Sequence, residues 1–135
     1  MKRALFLINP QTAKAALSPH LIDIIDLLEK SGYAVQVHMT QSKGDACRTV
    51  AAIGDKFALV ICAGGDGTLN ETVSGLLRTE TRPPLGYIPS GTTNDFAVSW
   101  GIPTHPLEAA HTIVQSEPLA MDVCLSVSYT HLTLP

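Results

Sequence analysis

The residues of this chain whose types and spacing could do chemistry are Gly64-Gly65-Asp66-Gly67-Thr68-Leu69-Asn70-Glu71, directly after the apolar run Val60-Ile61-Cys62-Ala63. A buried strand leading into three glycines around one aspartate, and then into a helix, is suited to holding phosphate. Glycine lets the backbone come close to the anion, and the amides at the start of the helix point at it. An acid among such amides would repel a phosphate unless a cation sat between them. Asp66 is therefore the natural place for Mg2+, bound directly or through water, beside a transferable phosphate. Thr68 and Glu71 have the spacing of a capping box, with the threonine as N-cap. A lone Asp-Gly is more often a tight turn only. The complete strand–GGDGT–helix context favours phosphate binding.

A second loop has the same character. Pro89-Ser90-Gly91-Thr92-Thr93-Asn94-Asp95-Phe96-Ala97 again follows a strand and precedes a helix. Gly91, the hydroxyls of Ser90, Thr92 and Thr93, and the amide of Asn94 could bind phosphate and ribose oxygens. Ser-Thr-Asn clusters also cap helices, which is their commoner role. Two such loops after neighbouring strands favour one nucleotide lying across both.

The elements that must position these loops read as strands alternating with helices. Residues 5–8 form an apolar strand that Asn9-Pro10 turns. Ser18-Pro19 then resembles an N-cap with proline at the first helical position. Leu17 and Ile22 are placed as a hydrophobic staple, and Leu21, Ile24, Ile25 and Leu28 as an apolar stripe that Gly32 stops. Residues 33–39 alternate as a second strand ending at Thr40. Ala46, Cys47, Val50 and Ile53 mark another helix, and residues 57–63 a central strand covered on both faces. A helix over about 69–78, a strand over 85–88, a helix over 106–115 and a last strand over 119–125 complete the order. The fold class expected is α/β, an open, mostly parallel sheet with helices on both faces.

Composition narrows the function classes. With 135 residues, 45% hydrophobic and 16% charged, the chain suits one soluble domain with a real core. A net charge of −3 with scattered Lys and Arg offers no basic field for nucleic acid or an anionic membrane. Affinity for phosphate must therefore come from backbone amides and metal. Cys47, Cys62 and Cys124 lack metal or disulfide spacing and read as reduced, buried thiols. The five histidines show no metal-ligand spacing either, and Trp100 reads as a packing residue. No run approaches the ~18 residues of a membrane span, and the N-terminal apolar run is too short for a signal peptide. A cytoplasmic protein is expected, with a homodimer left open.

The two loops together, GGDGTLNE and PSGTTNDFA, closely resemble the catalytic domain of bacterial diacylglycerol kinase-like lipid kinases, relatives of the NAD kinases. The resemblance runs from about Arg3 to Val123. GGDGT alone is shared with NAD kinases and, in similar form, with phosphofructokinases, whereas GTTNDFA selects the lipid-kinase branch. The resemblance implies adenine-nucleotide contacts at Asn9, Pro10, Gln11, Thr12 and Ala13, at Thr40, along Gly65, Asp66, Gly67, Thr68, Leu69, Asn70 and Glu71, and at Thr92, to which the chemistry of the two loops adds Gly64, Gly91 and Asn94. It places Asp66 beside the γ-phosphate and its magnesium as the catalytic residue. It also implies ATP and Mg2+ as cofactors, and a lipid such as diacylglycerol, met transiently at the membrane surface, as the partner. Ala13 departs from the family, which usually has glycine there. If that position needs positive φ or close phosphate approach, alanine weakens binding.

The resemblance further implies an N-terminal nucleotide-binding domain over residues 1–125. In the family, a β-sandwich domain follows, supplying further magnesium ligands and the catalytic base. Residues 126–135 (SVSYTHLTLP) do not resemble that continuation and are expected to be a non-family tail, with the second domain absent. Other functions stay open: an NAD kinase, a sphingoid-base or phosphatidylglycerol kinase, or a nucleotide-binding fragment without catalysis.

Overall fold

The computed structural model describes the backbone of residues 1–90, 95–115, 119–125 and 128–134, and the side chains of 1–90 and 97–115. Four parallel strands form one sheet in the order β2 (Tyr33–Met39), β1 (Lys2–Ile8), β3 (Leu59–Gly64), β4 (Leu85–Pro89). Register is continuous, Phe6 lying beside Val37 on one side and Ile61 on the other, and Cys62 beside Tyr87. The open, parallel α/β sheet with helices on both faces is thus as the sequence indicates.

Alternation along each strand explains why β1, β3 and β4 are apolar throughout. Ala4, Phe6 and Ile8 of β1, with Leu59, Ile61 and Ala63 of β3, face α1 (Pro10–Leu17), α2 (Leu21–Lys30) and α6 (Pro106–Gln115). Leu5, Leu7, Val60 and Cys62 point the other way, onto α3 (Asp45–Ile53), α4 (Asp66–Leu76) and α5 (Asp95–Trp100). A strand buried on both faces needs apolar side chains at every position. The edge strand β2 is covered less well and alternates accordingly, with Val37 and Met39 exposed.

Three expectations are corrected. Asn9-Pro10 starts a helix where a turn was expected: Asn9 is the N-cap of α1, its side chain accepting from the Gln11 amide, with proline at the first helical position. Ser18 consequently is the C-cap of α1, its amide donating to the Lys14 carbonyl, and opens a 3-10 turn before α2 without serving as an N-cap. The staple does not form either, because Ile22 is 83% exposed while Ile24 and Leu28 carry the buried stripe. The last strand, β5 (Leu119–Leu125), forms where the sequence places it and pairs antiparallel with β6 (Ser128–Leu134) in a separate two-stranded sheet.

The helices α3 and α4 approach closely at Gly75. A Cβ there would lie 2.7 Å from the Cys47 carbonyl oxygen and 2.8 Å from Val50 Cβ, neither of which can swing aside. Alanine gains roughly 1 kcal/mol of helix propensity over glycine. Overpacking of this kind costs about 1–3 kcal/mol, and backbone contact puts it at the upper end. Gly75→Ala is therefore expected to lower the urea midpoint of unfolding; an unchanged or raised midpoint would show that the two helices can separate freely.

Candidate nucleotide cleft

Two strand ends build the site. The chain leaves β1 for α1 on one face of the sheet and leaves β3 for α4 on the other, so the adjacent carboxyl ends of β1 and β3 open into a crevice. This is the topological switch point of an open α/β sheet, where ligands of such folds bind. A cleft of about 400 Å³ lies there, large enough for a small molecule. Asn9, Pro10, Gln11 and Thr12 form one wall, Gly65, Gly67, Thr68 and Glu71 the second, and Thr40 with residues 41–43 and Ala46 the third.

Hydrogen bonds fix these walls to one another. Asn9 Nδ2 donates to Thr68 Oγ1 at 2.9 Å across the crevice, and the Asn9 amide donates to the Ala63 carbonyl at 3.0 Å. Thr40 is buried, and its amide donates to the Ile8 carbonyl at 2.9 Å. Gly64 is required at the end of β3 because a Cβ would lie 2.7 Å from Thr68 Oγ1, in the space that lets the first turn of α4 sit on the strand. The Ser90 amide donates to the Gly64 carbonyl at 2.9 Å, which brings the start of the second loop beside the end of the first.

The capping box does not form. Helix α4 begins at Asp66, with Gly65 as an extended N-cap (φ −88°, ψ −172°) that offers no side chain. Asp66-Gly67 is therefore the first turn of a helix and not a separate tight turn. An acid in that turn suits the positive end of the helix dipole, which favours the earlier start. Thr68, two residues inside the helix, uses its hydroxyl to accept from Asn9. The Glu71 carboxylate accepts from the Gly44 amide at 2.9 Å.

Other expected site residues are distributed unevenly. Ala13 is fully buried in α1 with its side chain in the core, in right-handed helix and away from the cleft, so nothing at this position calls for glycine. Leu69 also packs in the core, and Asn70 is exposed. Asp66 sits at the start of α4, near enough to Tyr87 for its charge to add to the burial and the nearby Cys62 that raise that phenol. Gly91, Thr92 and Asn94 lie outside the described residues. Sequence reasoning missed Gln41, Ser42, Lys43 and Ala46 as cleft walls. The available signal was a third strand–loop–helix connection at the same edge of the sheet.

Beside the third wall, Asp45 is held below the usual carboxylate range. The Gln41 amide at 2.8 Å is the main cause, opposed by partial desolvation and aided by His38 and Thr49. Burial pushes the Cys62 thiol up to about 12, so it is an inert packing group, whereas Cys47 is only half-buried. Trp100, expected to pack, is 48% exposed. Among the described residues, no three His, Cys, Asp or Glu side chains converge as a metal cage, and no helix is long and apolar enough to cross a membrane.

The fold and crevice define an open parallel α/β domain with its cleft at the switch point. Residues 3–126 match the diacylglycerol kinase catalytic domain. The diacylglycerol kinase of Bacillus subtilis (strain 168) is 42% identical over 126 residues, covering 91% of this chain and 41% of that protein. That of Staphylococcus carnosus (strain TM300) is 36% identical over 123 residues, covering 90% and 40%. The crystal structure of a diacylglycerol kinase from Bacillus anthracis str. Sterne superposes with a TM-score of 0.80 at 33% identity, covering 90% of this chain and 44% of that one. The chain belongs to the diacylglycerol kinase catalytic domain family, and it spans less than half the length of these relatives.

Proposed function

We propose that this chain is the nucleotide-binding part of an ATP-dependent lipid kinase, which passes the γ-phosphate of ATP to a lipid hydroxyl such as that of diacylglycerol. The observation that carries the reading is the Asn9–Thr68 hydrogen bond, which closes two strand-end loops around the N-terminus of α4 in a chain of this family. The first intrahelical bond of α4 runs from the Leu69 amide to the Gly65 carbonyl at 3.1 Å. The amides of Gly67 and Thr68 precede it in the first turn and are oriented for an anion. With no basic field on the chain, these amides supply most of the attraction for phosphate.

The donor set suits magnesium in one way only. Mg2+ in nucleotide sites takes one or two carboxylates and fills its shell with phosphate oxygens and water. Asp66 meets that requirement without a protein cage, and a magnesium ion held there would neutralise charge on the transferred group. The acceptor hydroxyl attacks the γ-phosphorus in line, the bond to the departing ADP oxygen breaks, and the hydroxyl proton passes to a base. That base is expected in the part of the relatives' length that this chain does not span. Such a protein would work in the cytoplasm, meeting its lipid at the membrane surface.

The test is phosphoryl transfer by a complete protein carrying this domain, offered labelled ATP and Mg2+ with diacylglycerol micelles, a sphingoid base and NAD in parallel. Label is expected in diacylglycerol. Label in NADP and in no lipid would overturn the assignment, and label in the sphingoid base alone would change only the acceptor.

A further inference from the structure

Glu71 is one of two side chains bearing full charge that line the cleft among the described residues, the other being Lys43. Its carboxylate is engaged: Oε1 accepts the Gly44 amide at 2.9 Å, joining α4 to a loop 27 residues earlier in the chain. We propose that Glu71 is a positioning residue, holding the third wall of the cleft against α4 so that residues 40–43 meet the nucleotide, and acting through the Gly44 amide without binding phosphate or metal. The proposal rests on the cleft being the ATP site.

Apart from the tie of Thr40 to β1, the loop's other side-chain attachments are to its sequence neighbours. The Thr40 amide reaches β1, the Gln41 amide reaches the Asp45 carboxylate at 2.8 Å, Gln41 Nε2 reaches the Met39 carbonyl at 2.8 Å, and Ser42 Oγ accepts from Arg48 at 3.2 Å. These bonds shape the loop without reaching α4. The Glu71 bond ties the loop itself to α4, beyond the packing of α3 on that helix at Gly75, and α4 with its N-cap Gly65 also carries Gly67 and Thr68, the phosphate end of the cleft. Gly44 is built for this contact. It has φ +87°, which side chains rarely adopt, and a Cβ would lie 2.9 Å from Arg48 Nη1. A carboxylate left loose near phosphates would repel them, and a charge-assisted bond to a backbone amide gives it a fixed partner. Lys43, immediately before Gly44, takes its place over the cleft from the same anchor.

The experiment measures ATP–Mg2+ affinity by calorimetric titration, with hydrogen exchange at the Gly44 amide, in the full chain and in Glu71→Gln, Glu71→Asp and Glu71→Ala. Glutamine keeps the acceptor at the same reach without the charge, whereas aspartate keeps the charge but is one methylene too short. Removing a bond of this kind is expected to weaken binding about 10-fold in Glu71→Ala and Glu71→Asp, with faster exchange at Gly44. Glu71→Gln is expected to restore affinity to within about 3-fold of the parent, with Gly44 protected. If Glu71→Ala does not fold, the glutamine and aspartate variants decide alone. Strong binding in Glu71→Asp with weak binding in Glu71→Gln would assign Glu71 a charge role on metal or phosphate and overturn the proposal, as would parental affinity in all three variants. Failure of the unsubstituted chain to bind ATP would instead overturn the reading of the cleft.

Discussion

Asp66→Asn is expected to reduce the kcat of a complete kinase carrying this domain by at least about 10²-fold while leaving the folded domain intact. Two effects of the substitution differ greatly in size. Asp66 is the acidic residue in the first turn of α4, and losing its interaction with the helix dipole costs roughly 0.3–1 kcal/mol. Asparagine is nearly the same size and itself suits helix starts, so the fold absorbs that loss. Removing the carboxylate from the proposed magnesium and γ-phosphate site would remove a contact that strengthens as charge shifts in the transition state, and a 10²-fold loss corresponds to about 2.7 kcal/mol. The measurements are kcat at saturating ATP and lipid, together with the thermal midpoint. A folded variant with nearly normal kcat would reduce Asp66 to the opening residue of a helix. A variant that lost activity only together with its fold would leave the carboxylate a structural role, and the catalytic assignment would fall.

The sheet was legible in the sequence because a strand buried on both faces must be apolar at every position, as residues 4–8 and 59–63 are. One wall of the crevice was legible as a glycine-bearing loop following such a strand, whereas the second glycine-bearing loop lies outside the described residues. What could not be read was which side chain reaches which. Thr68 and Glu71 have the local spacing of a capping box, yet both face partners distant in sequence, Asn9 and Gly44, made available by the crossing of the sheet and by the close approach of α3 and α4 at Gly75. Local spacing competes poorly with tertiary contact. The first helix was missed for a different reason. Asn-Pro marks a turn or a helix start with equal force, and Gln11, Thr12 and Lys14 dilute the apolar period that would have decided it, leaving only Ala13 and Leu17 buried. The departure at Ala13 lost its significance once α1 was in place, since a buried helical residue needs neither positive φ nor an open approach to phosphate.

Gly67→Val is expected to weaken ATP binding by at least about 100-fold, or ~2.7 kcal/mol, while shifting the thermal midpoint by no more than about 2 °C. The two glycines flanking this part of the motif serve opposite needs. At Gly64 an added Cβ strikes Thr68 within the protein, so that position is reserved for packing. At Gly67 an added Cβ meets nothing within 4 Å, the backbone is helical, and the residue is exposed on the cleft. Valine therefore costs the protein little there, a few tenths of a kcal/mol at most from propensity, since it replaces a residue that is itself poor in helices. Its two branches instead fill space in front of the α4 amides, where the phosphates are proposed to lie. A clash built into a site of this kind rejects the ligand without unfolding the host. Titration with ATP and Mg2+, paired with a thermal melt of the same sample, separates the two needs. Parental affinity in a folded Gly67→Val chain would place the phosphates away from the N-terminus of α4. Lost affinity accompanied by a large fall in the midpoint would mean that Gly67 is a packing residue like Gly64, and the space before the helix would lose its claim to be the phosphate site.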